Sequence, residues 1–305
     1  MSPPRGASQV SQSPYMDAMP AKTLTALHPA RRDDIGDLTT RRPVPGPDLE
    51  QIDPFLFLNH HGPQTYGPGN AGLPFGPHPH RGFETVTFIL QGELAHRDSA
   101  GHESVIRAGG VQWMTAGSGL IHAEVSPEGF KQAGGPLELL QLWVNLPGRL
   151  KMSPPRYVGL QADEIPAIAA DQGRATVHLI SGAWGGRTGP IGSLTGVFLS
   201  TIDLKAGGRA GFGSLAGRNL FLYVISGAVK VNGAAVPAWT LAEFDLAGDL
   251  VEIEATSDSR LLFGHAEPIG EPVVAHGPFV MNSRVEIVEA IRDYNAGLFD
   301  HISAA

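Results

Sequence analysis

The sequence contains two pairs of potential metal ligands whose members are two residues apart: His78 with His80, and His122 with Glu124. In extended backbone, side chains two residues apart project from the same face, so each pair can point at one location. The prolines on either side of His78 favour extended or polyproline geometry. If the two segments lie side by side in a sheet, they offer three imidazole nitrogens and one carboxylate oxygen to a single ion. That set suits a first-row transition metal better than calcium or magnesium, which prefer oxygen ligands.

The distribution of histidine supports a metal site. Seven of the 12 histidines lie between His60 and His122. A lone histidine is usually a surface or hydrogen-bonded residue, and one pair can arise by chance, but two pairs at strand spacing in a glycine-rich frame favour a site. The chain contains no cysteine, which excludes thiolate ligands, a cysteine nucleophile and disulfides.

Size and composition indicate a globular protein. The chain has 305 residues, 42% of them apolar and 17% charged, which is enough for two domains of ordinary size. The formal net charge of −8 argues against direct binding to nucleic acid, which requires a basic face. Apolar stretches stay well short of the ~18 residues that span a bilayer, so we expect no membrane segment. The absence of cysteine is compatible with a reducing cytosol, and residues 1–21 lack the apolar region of a secretory signal, so we expect a cytoplasmic location.

Short strand-like segments recur along the chain and predict an all-β fold. Glycine (39 residues) and proline (25 residues) are frequent enough to supply the turns between them. Asn232-Gly233 is a strong signal for a two-residue hairpin turn. The predicted strands cover residues 84–90, 110–115, 137–146, 176–181, 195–204, 220–225, 228–231 and 260–264. Many short strands joined by turns are typical of a sandwich or barrel.

An internal duplication divides the chain into two similar halves. An apolar strand, a polar-glycine turn and a second strand occur at residues 85–94 and again at 220–229. Residues 151–156 contain two prolines and cannot continue a strand ladder, so they predict a linker. The second copy has no His-Pro-His segment, and His265 alone does not make a site. We therefore expect two barrels and one metal.

A helix is predicted near the C-terminus, where Ser283 and Glu286 have the spacing of a capping box. The apolar residues that follow at helical spacing, and that we expect to pack on a barrel, are Val285, Val288, Ile291 and Tyr294. The predicted regions of the chain are a disordered N-terminal arm (1–37), an N-terminal metal-binding barrel (38–150), and a C-terminal barrel without metal ligands followed by the helix (151–305).

Several segments resemble the pirin family, a branch of the bicupins. The similarity covers residue 38 to the end of the chain, and its first two blocks are highly specific. The matching segments are residues 51–56, Pro77 to Thr87 (PHPHRGFETVT), Gln112 to Gly117 (QWMTAG) continuing to His122-Ala123-Glu124, residues 143–147, and Gly270 to Val273 (GEPV) continuing to Met281-Asn282. This resemblance implies a fold of two cupin-type β-barrels with short helices.

By position, the resemblance makes His78, His80, His122 and Glu124 the metal ligands. In the general cupin pattern the carboxylate ligand stands four residues after the second histidine, at Glu84, but in pirins it follows the third histidine. We therefore assign Glu124 to the metal and Glu84 to the layer of residues around the ligands. Outer partners fix imidazole tautomers at metal sites, and Glu84 and His61 are candidates for that role. The pair His60-His61 is otherwise a loop pair that lines the barrel mouth or is solvated.

The resemblance implies one divalent transition metal per chain, with Fe(II) as the preferred ion; manganese, nickel, copper and zinc also tolerate such ligands. Some bacterial pirins are similar to quercetin 2,3-dioxygenases, which cleave a flavonol with dioxygen. In that interpretation Glu124 accepts the proton of the flavonol hydroxyl.

The alternative is a regulator without catalysis. Animal pirins resemble metal-dependent transcriptional co-regulators, and other bacterial members are proposed to bind metabolic enzymes, so the partner would then be a protein. We favour the dioxygenase because the ligand set is intact and the chain carries no basic nuclear signal.

Overall fold

The structure is a computed structural model that describes residues 20–300, and it confirms the predicted all-β fold with a C-terminal helix. The strands before residue 150 are β1 (Leu24–Pro29), β2 (Arg31–Arg32), β3 (Thr40–Val44), β4 (Phe55–Tyr66), β5 (Phe75–His80), β6 (Phe83–Gln91), β7 (Glu93–Asp98), β8 (Glu103–Arg107), β9 (Val111–Thr115), β10 (Leu120–Val125) and β11 (Gly135–Asn145). The first helix, α1 (Glu128–Ala133), lies between β10 and β11.

The later strands are β12 (Arg156–Leu160), β13 (Ala167–Ala170), β14 (Ala175–Ser181), β15 (Ala183–Trp184), β16 (Arg187–Thr188), β17 (Phe198–Leu204), β18 (Arg209–Phe212), β19 (Asn219–Ser226), β20 (Ala228–Val231), β21 (Ala234–Pro237), β22 (Thr240–Phe244), β23 (Val251–Ala255), β24 (Ser259–Ala266), β25 (Val274–His276) and β26 (Phe279–Met281). Helix α2 spans Arg284–Asn295, and single 3₁₀ turns occur at Gly148–Leu150, Ala162–Glu164 and Asp171–Gly173. No helix within residues 20–300 is long and apolar enough to cross a membrane.

The described chain forms two compact units. The first unit comprises residues 28–165 and 266–300, and the second comprises residues 20–27 and 166–265. This division differs from the expected one, in which residues 151–305 formed the second domain. The proline-rich segment 151–156 leads into β12, which pairs with β9 and so stays in the first unit.

Each unit contains one seven-stranded and one four-stranded sheet with equivalent strand orders. In the first unit the orders are β12-β9-β6-β11-β4-β3-β2 and β5-β10-β7-β8; in the second they are β1-β22-β19-β24-β17-β14-β13 and β18-β23-β20-β21. The predicted duplication therefore extends over both sheets. The edge strand of the second unit's large sheet is β1, which comes from the N-terminal part of the chain.

Residues 20–37 are not a disordered arm, so that prediction is wrong for this part; residues 1–19 lie outside the described residues. Alternate residues of β1 are partly buried, and Leu24 packs against the second unit's core. Lys22 is also buried, and its Nζ donates to the carbonyl of Asp245 at 2.7 Å. A six-residue strand in a polar surrounding gives little periodic signal, which is why the sequence pattern missed it.

The cores of the two units differ in polarity. The interior of the second unit is a continuous apolar cluster that includes Ala210, Phe212, Val251 and Ile253. The apolar cluster of the first unit, which includes Leu94, Ile106 and Leu139, is smaller. The first unit also buries five histidines, three glutamates and one glutamine: His60, His61, His80, His96, His122, Glu84, Glu124, Glu138 and Gln112. Polar groups concentrate in a protein interior where they have a specific task.

The predicted hairpin turn and the predicted helix cap are both confirmed. Asn232 and Gly233 both have positive φ (47° and 83°), as a type I′ turn requires, and they join β20 to β21. At the start of α2, the Ser283 hydroxyl accepts from the backbone N–H of Glu286. The predicted apolar face of α2 is wrong in part, because Val285 and Val288 are exposed and the helix instead buries Ile287 and Ala290.

Candidate metal centre

Three histidines from two paired strands converge in the first unit. In the antiparallel pair of β5 and β10, His122 lies opposite His78, and His80 follows two residues along β5. One ring nitrogen from each of the three lies within 4.8 Å of the others. The predicted pairing of His78 with His80 and their convergence on His122 are therefore present in the structure. Three imidazole nitrogens at this spacing suit a transition metal.

Hydrogen bonds fix the orientation of two of these imidazoles. Nδ1 of His78 lies 2.7 Å from the carbonyl oxygen of Gly76, and Nδ1 of His80 lies 3.2 Å from that of Pro278. Because a carbonyl only accepts, each Nδ1 must carry the proton, which leaves the Nε2 lone pair for a ligand. Metal-binding histidines are commonly held by backbone carbonyls in this way.

His122 supports the fit of a metal most directly. Its side chain is 1% exposed, and neither ring nitrogen has a hydrogen-bond partner within residues 20–300. A buried imidazole without partners is costly unless another ligand engages it. Burial and the neighbouring histidines lower the pKa of His122 well below its ordinary value, and burial lowers the pKa of His80 to about 3. Both rings are thus neutral, as metal binding requires.

Glu124 lies on the same face of β10 as His122, but its carboxylate is held by other side chains. Oε1 accepts from the hydroxyl of Thr87 at 2.8 Å and from the amide of Gln112, and Oε2 accepts from the amide of Gln141 at 2.5 Å. The group of mutually close ligand atoms found in the described chain consists of the three histidines without Glu124. Its assignment as fourth ligand and as proton acceptor stays a prediction.

Glu84 points away from this arrangement. Successive residues of a strand alternate between faces, so Glu84 lies on the opposite face of β6 from Thr87, which contacts Glu124. Its Oε1 accepts from the hydroxyl of Thr115 at 2.6 Å, and burial raises the pKa of its carboxyl. The structure shows no contact between Glu84 and the triad in the described residues, so its predicted role as an outer partner has no geometric support.

His60 and His61 are both buried in strand β4, so the expectation of a loop pair is wrong. His60 faces Leu140 on β11, and its Nε2 lies 3.0 Å from Oε1 of Glu138. His61 points to the other face of the strand, where its Nδ1 lies 2.8 Å from the hydroxyl of Thr40. His60 and His61 therefore lie on opposite faces of β4 and contact different side chains.

An aromatic surface beside His80 was not recognised in the sequence. The rings of Phe57 and Trp143 stack with centroids 4.7 Å apart, and Trp143 also lies 4.5 Å from Phe83. The Trp143 ring is 5.4 Å from that of His80. Alternation along β11 places Leu139, Gln141 and Trp143 on one face of the strand. That alternation is the only sequence signal that could have linked Trp143 to the residues around the metal centre.

Residues beyond the expected domain boundary also reach the site. Tyr157 of β12 stacks on His96 with ring centroids 4.0 Å apart, and His96 lies 5.5 Å from His122. The Tyr157 hydroxyl donates to Oε1 of Gln112 at 3.2 Å, and Gln112 in turn donates to Glu124. Burial raises the pKa of Tyr157 to about 12, so this hydroxyl remains a donor.

The loop that follows His80 is clamped by the C-terminal part of the first unit. Arg81 donates to the carboxylate of Asp293 at 2.9 Å. Gly82 has φ of +89° and no room for a Cβ beside the carbonyl of Val280. The buried ammonium of Lys151 has three acceptors, namely the carbonyls of Gly82 (2.9 Å) and Val280 (3.0 Å) and Oδ1 of Asn145 (2.6 Å).

Comparisons with known proteins find similar sequences and a similar fold. The Pirin family model matches residues 37–144, and the model for the pirin C-terminal cupin domain matches residues 199–300. A Pseudomonas aeruginosa protein named "Putative quercetin 2,3-dioxygenase" is 40% identical over 250 residues, which is 82% of this chain and 87% of that protein. A pirin-like protein of Caulobacter vibrioides is 43% identical over 257 residues, covering 83% and 90% of the two chains. The crystal structure of quercetin 2,3-dioxygenase from Acinetobacter baumannii matches with a TM-score of 0.87 and 34% identity, over 92% of this chain and 99% of that one.

Proposed function

Because the chain belongs to the pirin family, we propose that it is a metal-dependent dioxygenase that opens the heterocycle of a flavonol such as quercetin. The observation that carries this proposal is the convergence of His78, His80 and His122, two of whose rings are already oriented by backbone carbonyls. The names of the Pseudomonas and Acinetobacter relatives support the choice of substrate.

The three histidines would hold one divalent ion, with Fe(II) preferred, through nitrogens that the surrounding structure leaves free. When bound, such an ion supplies Lewis acidity toward a substrate oxygen and a route for electrons to dioxygen. The protein's own part is to present a dry, shaped surface around that point.

The aromatic surface formed by Phe57, Trp143 and Phe83 fits a planar substrate. Phe57 and Trp143 are only partly buried, and Trp143 lies next to His80. Stacked aromatic contacts would orient a flavonol with its polar edge toward the histidines. The aromatic side chains beside His80 are the second observation that favours an aromatic substrate.

We assign to Glu124 the role of proton acceptor. Within residues 20–300, Oε1 accepts two hydrogen bonds, whereas Oε2 accepts one, from Gln141. A carboxylate oxygen accepts two, so Oε2 retains capacity for a substrate hydroxyl or for the metal. The three donors keep the carboxylate in position during the transfer.

The test is an oxygen-consumption assay with quercetin on protein of known metal content. Loss of the flavonol absorbance together with oxygen uptake, proportional to bound metal and absent after chelation, is the expected result. Full metal loading without turnover of any flavonol would refute the dioxygenase and favour the regulatory alternative, in which the metal supports binding to a protein partner.

A further inference from the structure

His61, on β4 of the seven-stranded sheet of the first unit, carries a buried ring nitrogen without a partner in the described chain. Its side chain is 1% exposed, and Nε2 has no hydrogen-bond partner in the described chain. The metal ligands proposed above do not include it. An unpaired polar atom in such a position is costly for the folded protein and points to a ligand that completes it.

The hydrogen bonds of Thr40 decide the tautomer of His61. The Thr40 hydroxyl lies 3.3 Å from the carbonyl oxygen of Leu38 and 2.8 Å from Nδ1 of His61. A hydroxyl has one proton, and the carbonyl of Leu38 can only accept. Both contacts are hydrogen bonds only if Thr40 donates to Leu38 and accepts from Nδ1–H of His61. The free Nε2 is therefore an acceptor.

Strand register places His61 on the same face of the seven-stranded sheet as Gln141, which contacts Glu124. His61 faces Leu139 on β11, and Leu139 lies two residues from Gln141, which donates to Glu124. The three side chains share one face of the sheet. On its other side the His61 ring packs 5.2 Å from Phe75, which is the register partner of Glu124 on β5.

Burial, with smaller contributions from His60 and Arg42, lowers the pKa of His61 to about 3. The ring is thus neutral at physiological pH. A neutral acceptor on an otherwise apolar and amide-lined wall is suited to an uncharged donor, and a phenolic hydroxyl is such a group.

We propose that Nε2 of His61 accepts a hydrogen bond from a ring hydroxyl of the flavonol other than its 3-hydroxyl, so that His61 selects polyhydroxylated substrates. This inference rests on the proposed function. It assigns His61 a substrate-positioning role through a direct contact, and it distinguishes substrates that all carry the 3-hydroxyl.

The test compares two ligands on the full chain loaded with zinc, under anaerobic conditions that prevent turnover. Quercetin and 3-hydroxyflavone both have the 3-hydroxyl, but only quercetin has further hydroxyls. The dissociation constant of quercetin divided by that of 3-hydroxyflavone, both measured by calorimetry, should rise about three- to tenfold in His61→Phe, which keeps a ring and removes both nitrogens. Phe75→Leu perturbs the same packing without removing a polar atom, and its ratio should equal that of the wild type.

A second measurement needs no variant. In ¹⁵N NMR of the zinc-loaded wild-type protein, Nε2 of His61 should appear as an unprotonated nitrogen and shift upfield when quercetin is added, but not when 3-hydroxyflavone is added. An unchanged affinity ratio in folded, metal-loaded His61→Phe, or no such shift, overturns the inference alone. Failure of the wild type to bind either flavonol overturns the proposed function together with it.

Discussion

His122 lies directly opposite His78 in the antiparallel pair of β10 and β5, and their ring centroids are 4.4 Å apart. The pairing of these two strands sets the distance between the rings, since opposite residues of an antiparallel pair share one face. His80, two residues along β5, joins them through the alternation of the strand. The triad thus depends on strand register more than on any loop conformation.

Removal of His80 should abolish most metal binding. His80→Ala deletes one of the three converging nitrogens, and we expect a loss of affinity beyond the 10–100-fold typical of losing an outer partner. Elemental analysis of the purified protein measures the bound metal. His178→Ala, a change at a partly exposed histidine of the second unit, is the control that should retain it. Equal metal content in the two variants would contradict the site.

Glu124→Gln should retain part of the metal but lose flavonol cleavage. The amide cannot accept the substrate proton, and loss of a positioned base typically lowers kcat by about 10²–10⁴-fold. Steady-state kinetics normalised to metal content measure the effect. Glu84→Gln changes another buried carboxyl, on the opposite face of β6, and should leave kcat near the wild-type value. Unchanged turnover in Glu124→Gln would exclude it as the base.

The chain should bind one metal ion and not two. In the second unit, Phe212 faces Val251 as His78 faces His122, and Ile253 occupies the position equivalent to Glu124. These side chains belong to a continuous apolar core and offer no ligand atoms. When the protein is titrated with metal, the bound metal measured by elemental analysis should saturate near one ion per chain. A value near two would show that the second unit also binds an ion.

The sequence predicted the triad because its signal is local. Two residues on one strand and one on another need only the period-two alternation and the presence of histidine, and the hairpin at Asn232-Gly233 needs only two adjacent residues. The pairing that brings His122 to His78 was an assumption that the sequence could support only through the family resemblance.

Pairing between distant segments accounts for what the sequence did not reveal. The proline-rich segment 151–156 has the composition of a boundary, yet the strand after it supplies Tyr157 to the first unit. The carbonyl of Pro278, which holds His80, and the aromatic contact of Trp143 with the same ring also come from far along the chain. Local propensity carries no information about which edge a strand will join.

Trp143→Leu should weaken substrate binding while leaving the metal in place. It removes the ring that stacks on Phe57 and lies beside His80, and such aromatic contacts are worth about two- to tenfold in affinity. We expect KM for quercetin to rise by that factor with metal content unchanged. Trp184→Leu, in the second unit, is the matched control; an equal KM in both variants would remove the aromatic surface from the substrate site.

The buried ammonium of Lys151 should make stability rise with pH. Burial lowers its pKa from 10.5 to about 8, and Glu271 and Glu286 oppose that shift only in part. The folded protein therefore releases this proton at a lower pH than the unfolded chain, so between about pH 8 and 10.5 the unfolded state binds more protons and stability increases with pH. The full gain in the free energy of unfolding is about 3 kcal/mol. Lys151→Met lacks this titration. The free energy of unfolding of the wild type minus that of the variant, measured with urea, should therefore increase from about pH 7 to about pH 9.5. A difference that stays constant over that range would mean that the three acceptors of the ammonium offset the cost of its burial.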